Sequence, residues 1–85
     1  GRNDELTLSY ILLKAIRPLT VTVTIYDLAG APVRRLYKQR DSTGRYAIDW
    51  DGLDDGGQPV ANGVYFFRVE TDAGDHAFGN LVVLD

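Results

Sequence analysis

From Trp50 to Val69 the chain reads WDGLDDGGQPVANGVYFFRV, two alternating segments joined by a loop crowded with glycine and aspartate. After the loop, Tyr65, Phe67 and Val69 point one way, and Phe66 and Arg68 the other. Before it, Tyr46, Ile48 and Trp50 alternate in the same manner with Arg45, Ala47 and Asp49. A period of two marks a strand with one buried face. Between the flanks, Asp51-Gly52, Asp54-Asp55-Gly56-Gly57 and Asn62-Gly63 supply residues suited to positive φ and side chains that bond nearby backbone. The stretch specifies two core strands and a shaped loop, and it contains no reaction centre.

The same period recurs along the chain. Leu6 to Leu13 places Leu6, Leu8, Tyr10 and Leu12 on one face, with Thr7 and Ser9 on the other. Pro18 keeps Arg17 out of the helical region, so Ala15 to Leu19 is a connection. Val21 to Asp27 is the cleanest strand, with Val21, Val23 and Ile25 opposed to Thr20, Thr22 and Thr24. Asp27-Leu28-Ala29-Gly30 closes a turn with Gly30 at positive φ. Pro32 to Tyr37 is a short strand whose inward residues, Val33 and Leu36, are spaced by three and so admit a bulge. Lys38 to Gly44 reads as a polar turn. Arg45 to Trp50, Val64 to Thr71 and His76 to Leu84 complete the set, the last two joined by the hairpin turn TDAGD around Gly74. Leu81 to Leu84 is apolar on both faces.

No helical period runs far enough to matter, since Leu12 to Arg17 is stopped by Pro18. About seven short strands in 85 residues predict one all-β domain over residues 1–85, an antiparallel β-sandwich of Ig-like architecture. The Cys…Trp…Cys spacing of true Ig domains is absent, because the chain has no cysteine. The abrupt polar opening GRNDE predicts a piece of a longer polypeptide.

Charge and hydropathy exclude several function classes. A net charge of −3 lacks the basic stripe that a nucleic-acid binder needs. Arg34-Arg35 and Lys38 to Arg40 lie close to Asp41 and read as solvated strand and turn surface. No apolar run approaches the ~20 residues of a membrane-spanning helix, so no membrane insertion is expected. Without cysteine, neither a disulfide framework nor a thiolate metal site is available.

Each residue type that carries chemistry has a plainer role to weigh. Asp51, Asp54 and Asp55 are candidates for calcium, because that ion takes six to eight oxygen ligands. Their spacing lacks the EF-hand ladder, and turn capping by carboxylates explains them better. Trp50 is in register with Tyr46 and Ile48, which makes it core rather than a sugar-stacking platform. His76, the only histidine, reads as an exposed turn residue. Neither Ser9 nor Ser42 has a nucleophile-elbow context for a triad. Asp49, Asp51 and Asp72 form no acid/base pair, and Gly52, Gly56, Gly57 and Gly63 precede no helix that would cradle a phosphate. No catalytic residue is expected. Phe66 faces outward beside Arg68, and the TDAGD turn brings Phe78 back toward it. These two rings are the candidate docking residues.

Several spaced elements resemble the Ig-like module of the flagellar hook-capping protein FlgD and, more closely, the similar modules that end many bacterial secreted and surface proteins. The matching residues are Val21 to Asp27, Gly30, Val33-Arg34-Arg35-Leu36, Gly44, Trp50-Asp51-Gly52, Asp54-Asp55, Gly57 and Gly63 to Phe66. The last strand resembles the closing K-x-V-V-L segment of sorting-type C-terminal domains, although Asn80 stands where those usually carry Lys or Arg. The resemblance covers the chain from about Leu8 onward. It implies a non-catalytic accessory or C-terminal module of a bacterial extracellular or cell-envelope protein, acting as spacer, attachment or assembly element. Upstream domains of the parent protein or neighbouring subunits would be its partners. Two alternatives stand beside it. One is a filament or appendage subunit joined through its edge strands, Leu6 to Leu13 or Leu81 to Leu84. The other is a carbohydrate-binding module attached to a hydrolase, which would present a planar row of aromatics.

Overall fold

The computed structural model describes residues 6–12, 18–40 and 44–84. Leu13, the connection at Ala15 to Arg17, Asp41, Ser42 and Asp85 lie outside the described residues. Six strands follow one another: β1 (Leu6–Leu12), β2 (Leu19–Tyr26), β3 (Pro32–Arg40), β4 (Gly44–Trp50), β5 (Gly63–Thr71) and β6 (His76–Val83). β1 and β4 pair as a two-stranded sheet, and the other four form a second sheet in the order β3-β2-β5-β6. All pairings are antiparallel. The architecture is an Ig-like sandwich with six described strands rather than about seven.

Alternation builds the core. Leu8, Tyr10, Ile48 and Trp50 face inward from the small sheet, and Val21, Val23, Ile25, Tyr65, Val69 and Val83 from the large one. Trp50 is fully buried, and its indole N–H donates to the Leu53 carbonyl at 2.8 Å. The ring meets Tyr65 edge-on, with centroids 6.0 Å apart. Tyr65 in turn donates its hydroxyl to the Ala61 carbonyl at 2.6 Å. A tyrosine bonded to backbone just upstream of its own strand is the tyrosine corner of Ig-type sandwiches.

One expectation needs correction. β3 does not stop at Tyr37. Lys38, Gln39 and Arg40 continue the ladder opposite Val21, Thr20 and Leu19. As an edge strand, β3 can carry polar side chains into water, so hydropathy does not mark its end. Thr24, on the face opposite Val23 and Ile25 as alternation requires, is 2 % exposed. It lies between Arg35 and Arg68 in register, and long arginine stems on both flanks shield it.

The spacing of three between Val33 and Leu36 is accommodated as expected. Register shifts where Ile25 faces Arg34 and Tyr26 faces Pro32, leaving Val33 as the extra residue of a bulge. Val33 and Leu36 both pack on the core. At the β2–β3 turn Gly30 takes φ 87°, and the Asp27 carboxylate accepts N–H bonds from Ala29 and Ala31.

One flank of the sandwich is closed by long-range contacts. Arg40 donates to the Tyr10 hydroxyl at 2.9 Å and lies 4.4 Å from the centre of the Tyr46 ring. Tyr46 stacks on Tyr10, its partner in register. The loop after β4 binds the β3 edge, where Asp55 donates its N–H to the Val33 carbonyl and accepts the Arg35 N–H on its carboxylate.

Candidate functional site

The outer face of β5 and β6 carries the exposed apolar surface. Antiparallel register puts Phe66 opposite Asn80, Arg68 opposite Phe78 and Val64 opposite Val82. Residues that face each other across a ladder share a side of the sheet, and alternate residues of one strand do too. Val64, Phe66, Arg68, Phe78, Asn80 and Val82 therefore form one face. Phe66 is 43 % exposed and Phe78 70 %. Tyr65 and Val69 are buried on the opposite side, as alternation requires. Phe67 is only half-buried, yet it packs on the core.

Arg68 sits between the two phenylalanines. Its guanidinium lies 5.5 Å from the Phe78 ring centre and 3.5 Å from the Glu70 carboxylate. Its Nε is buried without a hydrogen-bond partner among the described residues. The edge of His76 meets Phe78 at 5.6 Å between centroids. The arrangement is an apolar strip with a cation lying over one of its rings, which suits contact with another protein surface. Sequence alternation finds Phe66 and Phe78. It does not reveal that Val64 and Val82 extend the strip, because that requires the β5–β6 register.

The three aspartates of the loop are turn and loop residues. The Asp51 carboxylate accepts the Leu53 N–H at 3.0 Å and lies 3.4 Å from Arg34. Asp54 accepts the N–H groups of Gly56 and Gln58, both at 2.9 Å. Asp55 turns to the backbone of β3. No group of three or more acidic, histidine or cysteine side chains gathers among the described residues. Arg34 is the organiser that sequence reasoning did not find. One of its nitrogens donates to the Leu53 and Asp54 carbonyls at 3.0 and 3.3 Å. Its position opposite Ile25 aims an inward-facing side chain at the edge of the sandwich, where only a long cation can reach the loop.

The Tyr65 hydroxyl gives up its proton less readily than a free phenol. Burial pushes its pKa above the usual 10.0, and the nearby Asp27 carboxylate adds to the rise. A neutral tyrosine that donates to a carbonyl is a structural group. Trp50, being buried, offers no stacking platform. No helix among the described residues is long and apolar enough to cross a membrane.

Comparison with known proteins agrees with the fold. The chain matches FlgD from Xanthomonas campestris, whose crystal structure is described for its insights into hook capping, essential for flagellar assembly. The match has a TM-score of 0.72 at 23 % identity, covering 94 % of this chain and 58 % of that one. At this identity the likeness establishes the sandwich fold, and the chain spans little more than half of that FlgD. No curated protein matches. The family model of the FlgD Ig-like domain matches residues 4–75, most of the 85 residues, so the chain belongs to the FlgD Ig-like domain family.

Proposed function

We propose that this domain is a non-catalytic assembly module of a bacterial extracellular or cell-envelope protein, and that Phe66 and Phe78 dock it on an upstream domain of its parent or on a neighbouring subunit. The observation that carries the reading is the exposed strip of Val64, Phe66, Phe78 and Val82 on a sheet face that no described element covers. The family supports a role in assembly, since hook capping is the context in which the related FlgD is described. Net charge and the buried state of Trp50 favour a protein partner over nucleic acid or glycan.

The test replaces both rings with serine. Phe66→Ser/Phe78→Ser should leave the isolated domain folded, costing under about 1 kcal/mol as exposed substitutions usually do. Association with the parent's upstream region or with a second subunit should weaken in sedimentation or pull-down assays. Unfolding of the double variant, or unchanged association, would refute the proposal. A second reading, assembly through edge strands, is favoured by the unpaired outer edges of β1 and β6 among the described residues.

A further inference from the structure

The two flanks of the sandwich are unequal. On the β3–β4 flank, Arg40 bridges the sheets and the Asp51 to Val60 loop covers the β3 edge. On the β1–β6 flank, a cavity of about 260 Å³ opens between the layers, lined by Tyr10, Ile11, Leu12, Val69, Asp75 and Ala77 among others. Three consecutive residues of β1 line it. Since successive side chains alternate, only a cavity running along the edge of the strand can touch all three. Ala77 pairs with buried Val69 and so faces inward, yet it is exposed. The core is uncovered at this point.

Two kinds of unmet bonding coincide here. β1 pairs only with β4 among the described residues, so every second residue turns its N–H and C=O away from the sheet. Beside that edge lies the apolar gap. In Ig-type sandwiches the sheet equivalent to β1–β4 continues past β1 with a further strand. One extended strand would satisfy both deficits, its backbone on β1 and its inward side chains in the gap.

We propose that the β1 edge is a strand-acceptor site, taking an extended segment of another polypeptide region with apolar side chains at alternate positions. This deepens the edge-strand reading above and is independent of the Phe66–Phe78 face. Asp75 at the mouth of the gap is exposed, and in a domain of charge −3 it selects a strand with a lysine or arginine at that end. A ring or branched aliphatic chain fits over Ala77 and between Tyr10 and Leu12.

The test uses the 85-residue protein and a synthetic peptide, Lys-Val-Thr-Val-Thr-Val-Thr-Val, with a control of the same composition in which the valines are contiguous. The alternating peptide should slow hydrogen exchange at alternate β1 amides, shift the resonances of Leu12, Val69 and Ala77, and raise Tm, as ligands of the native state do. Ala77→Leu, which fills the gap from within, should weaken binding about tenfold, the equivalent of 1.4 kcal/mol, and leave the free domain folded. Asp75→Asn should weaken it less. Phe66→Ser/Phe78→Ser should bind the peptide normally, which separates this site from the docking face. Protection confined to β6, equal binding of the control, or full affinity in Ala77→Leu would each overturn the proposal. So would a β1-mediated dimer in sedimentation that excludes the peptide, since the occupant would then be a second copy.

Discussion

The Phe67 ring lies directly over Gly79, its cross-strand partner, so close that a Cβ at position 79 would stand 2.3 Å from the ring. Here the missing side chain is the structural element. Phe67 reaches over β6 and covers the sheet where β6 offers nothing to pack. Gly79→Ala should force the ring aside and cost about 1–3 kcal/mol, the usual range for overpacking. A chemical melt measures it, and Phe67→Leu/Gly79→Ala should recover part of the loss because the two positions share one space.

Trp50 joins the small sheet to the loop. Trp50→Ala empties the centre of the core and removes one of the two donors to the Leu53 carbonyl, so it should cost about 3–5 kcal/mol. A domain of this size has little more than that to lose. Urea titration followed by far-UV circular dichroism should show a largely unfolded protein in water or a midpoint near zero denaturant.

The loop is expected to hold its shape without calcium. Asp54 spends one oxygen on two backbone donors, and Asp55 turns to β3. Thermal melts in EDTA and in millimolar Ca²⁺ should coincide. Asp54→Ala should lower stability by about 1–2 kcal/mol through the two lost bonds, whereas Asp54→Asn retains an acceptor and should lose less. A rise of several degrees with Ca²⁺ would contradict this, since a native-state ligand must stabilise the fold.

Tyr65 predicts an alkaline limit. Its pKa is raised on folding, by burial first and the Asp27 charge second. The folded state therefore holds the phenolic proton more tightly than the unfolded chain. That contribution is fully present below the ordinary value of 10.0 and is lost as pH rises from there through the folded pKa. The readout is the difference in stability between the wild type and Tyr65→Phe. That difference should narrow as pH climbs above 10.0. A constant difference would count against the account.

Much of this fold was legible because alternation reports which face of a strand is wet. It placed Trp50 and Tyr65 inside and Phe66 and Phe78 outside, and it located the turns at Gly30 and Gly74. Alternation does not report who pairs with whom. The extra length of β3 depends on pairing with β2 as far as Leu19, and its side chains there are polar. Thr24 is buried by residues of two other strands. The role of Arg34 depends on a loop some twenty residues away in sequence folding back onto β3. The expected seventh strand was an inference from architecture rather than from residues, and the described chain supplies six.

The domain holds a single tryptophan, and its indole is at once the floor of the core and the anchor of the Leu53 carbonyl. Its emission is therefore a built-in optical gauge. Loosening of the loop changes the hydrogen bond to the indole, and opening of the sheets admits water to the ring. With Tyr65 edge-on against it, excitation absorbed by the tyrosine can pass to the indole. A partner binding anywhere on this small body can thus be followed without a label, by how far it disturbs one buried ring.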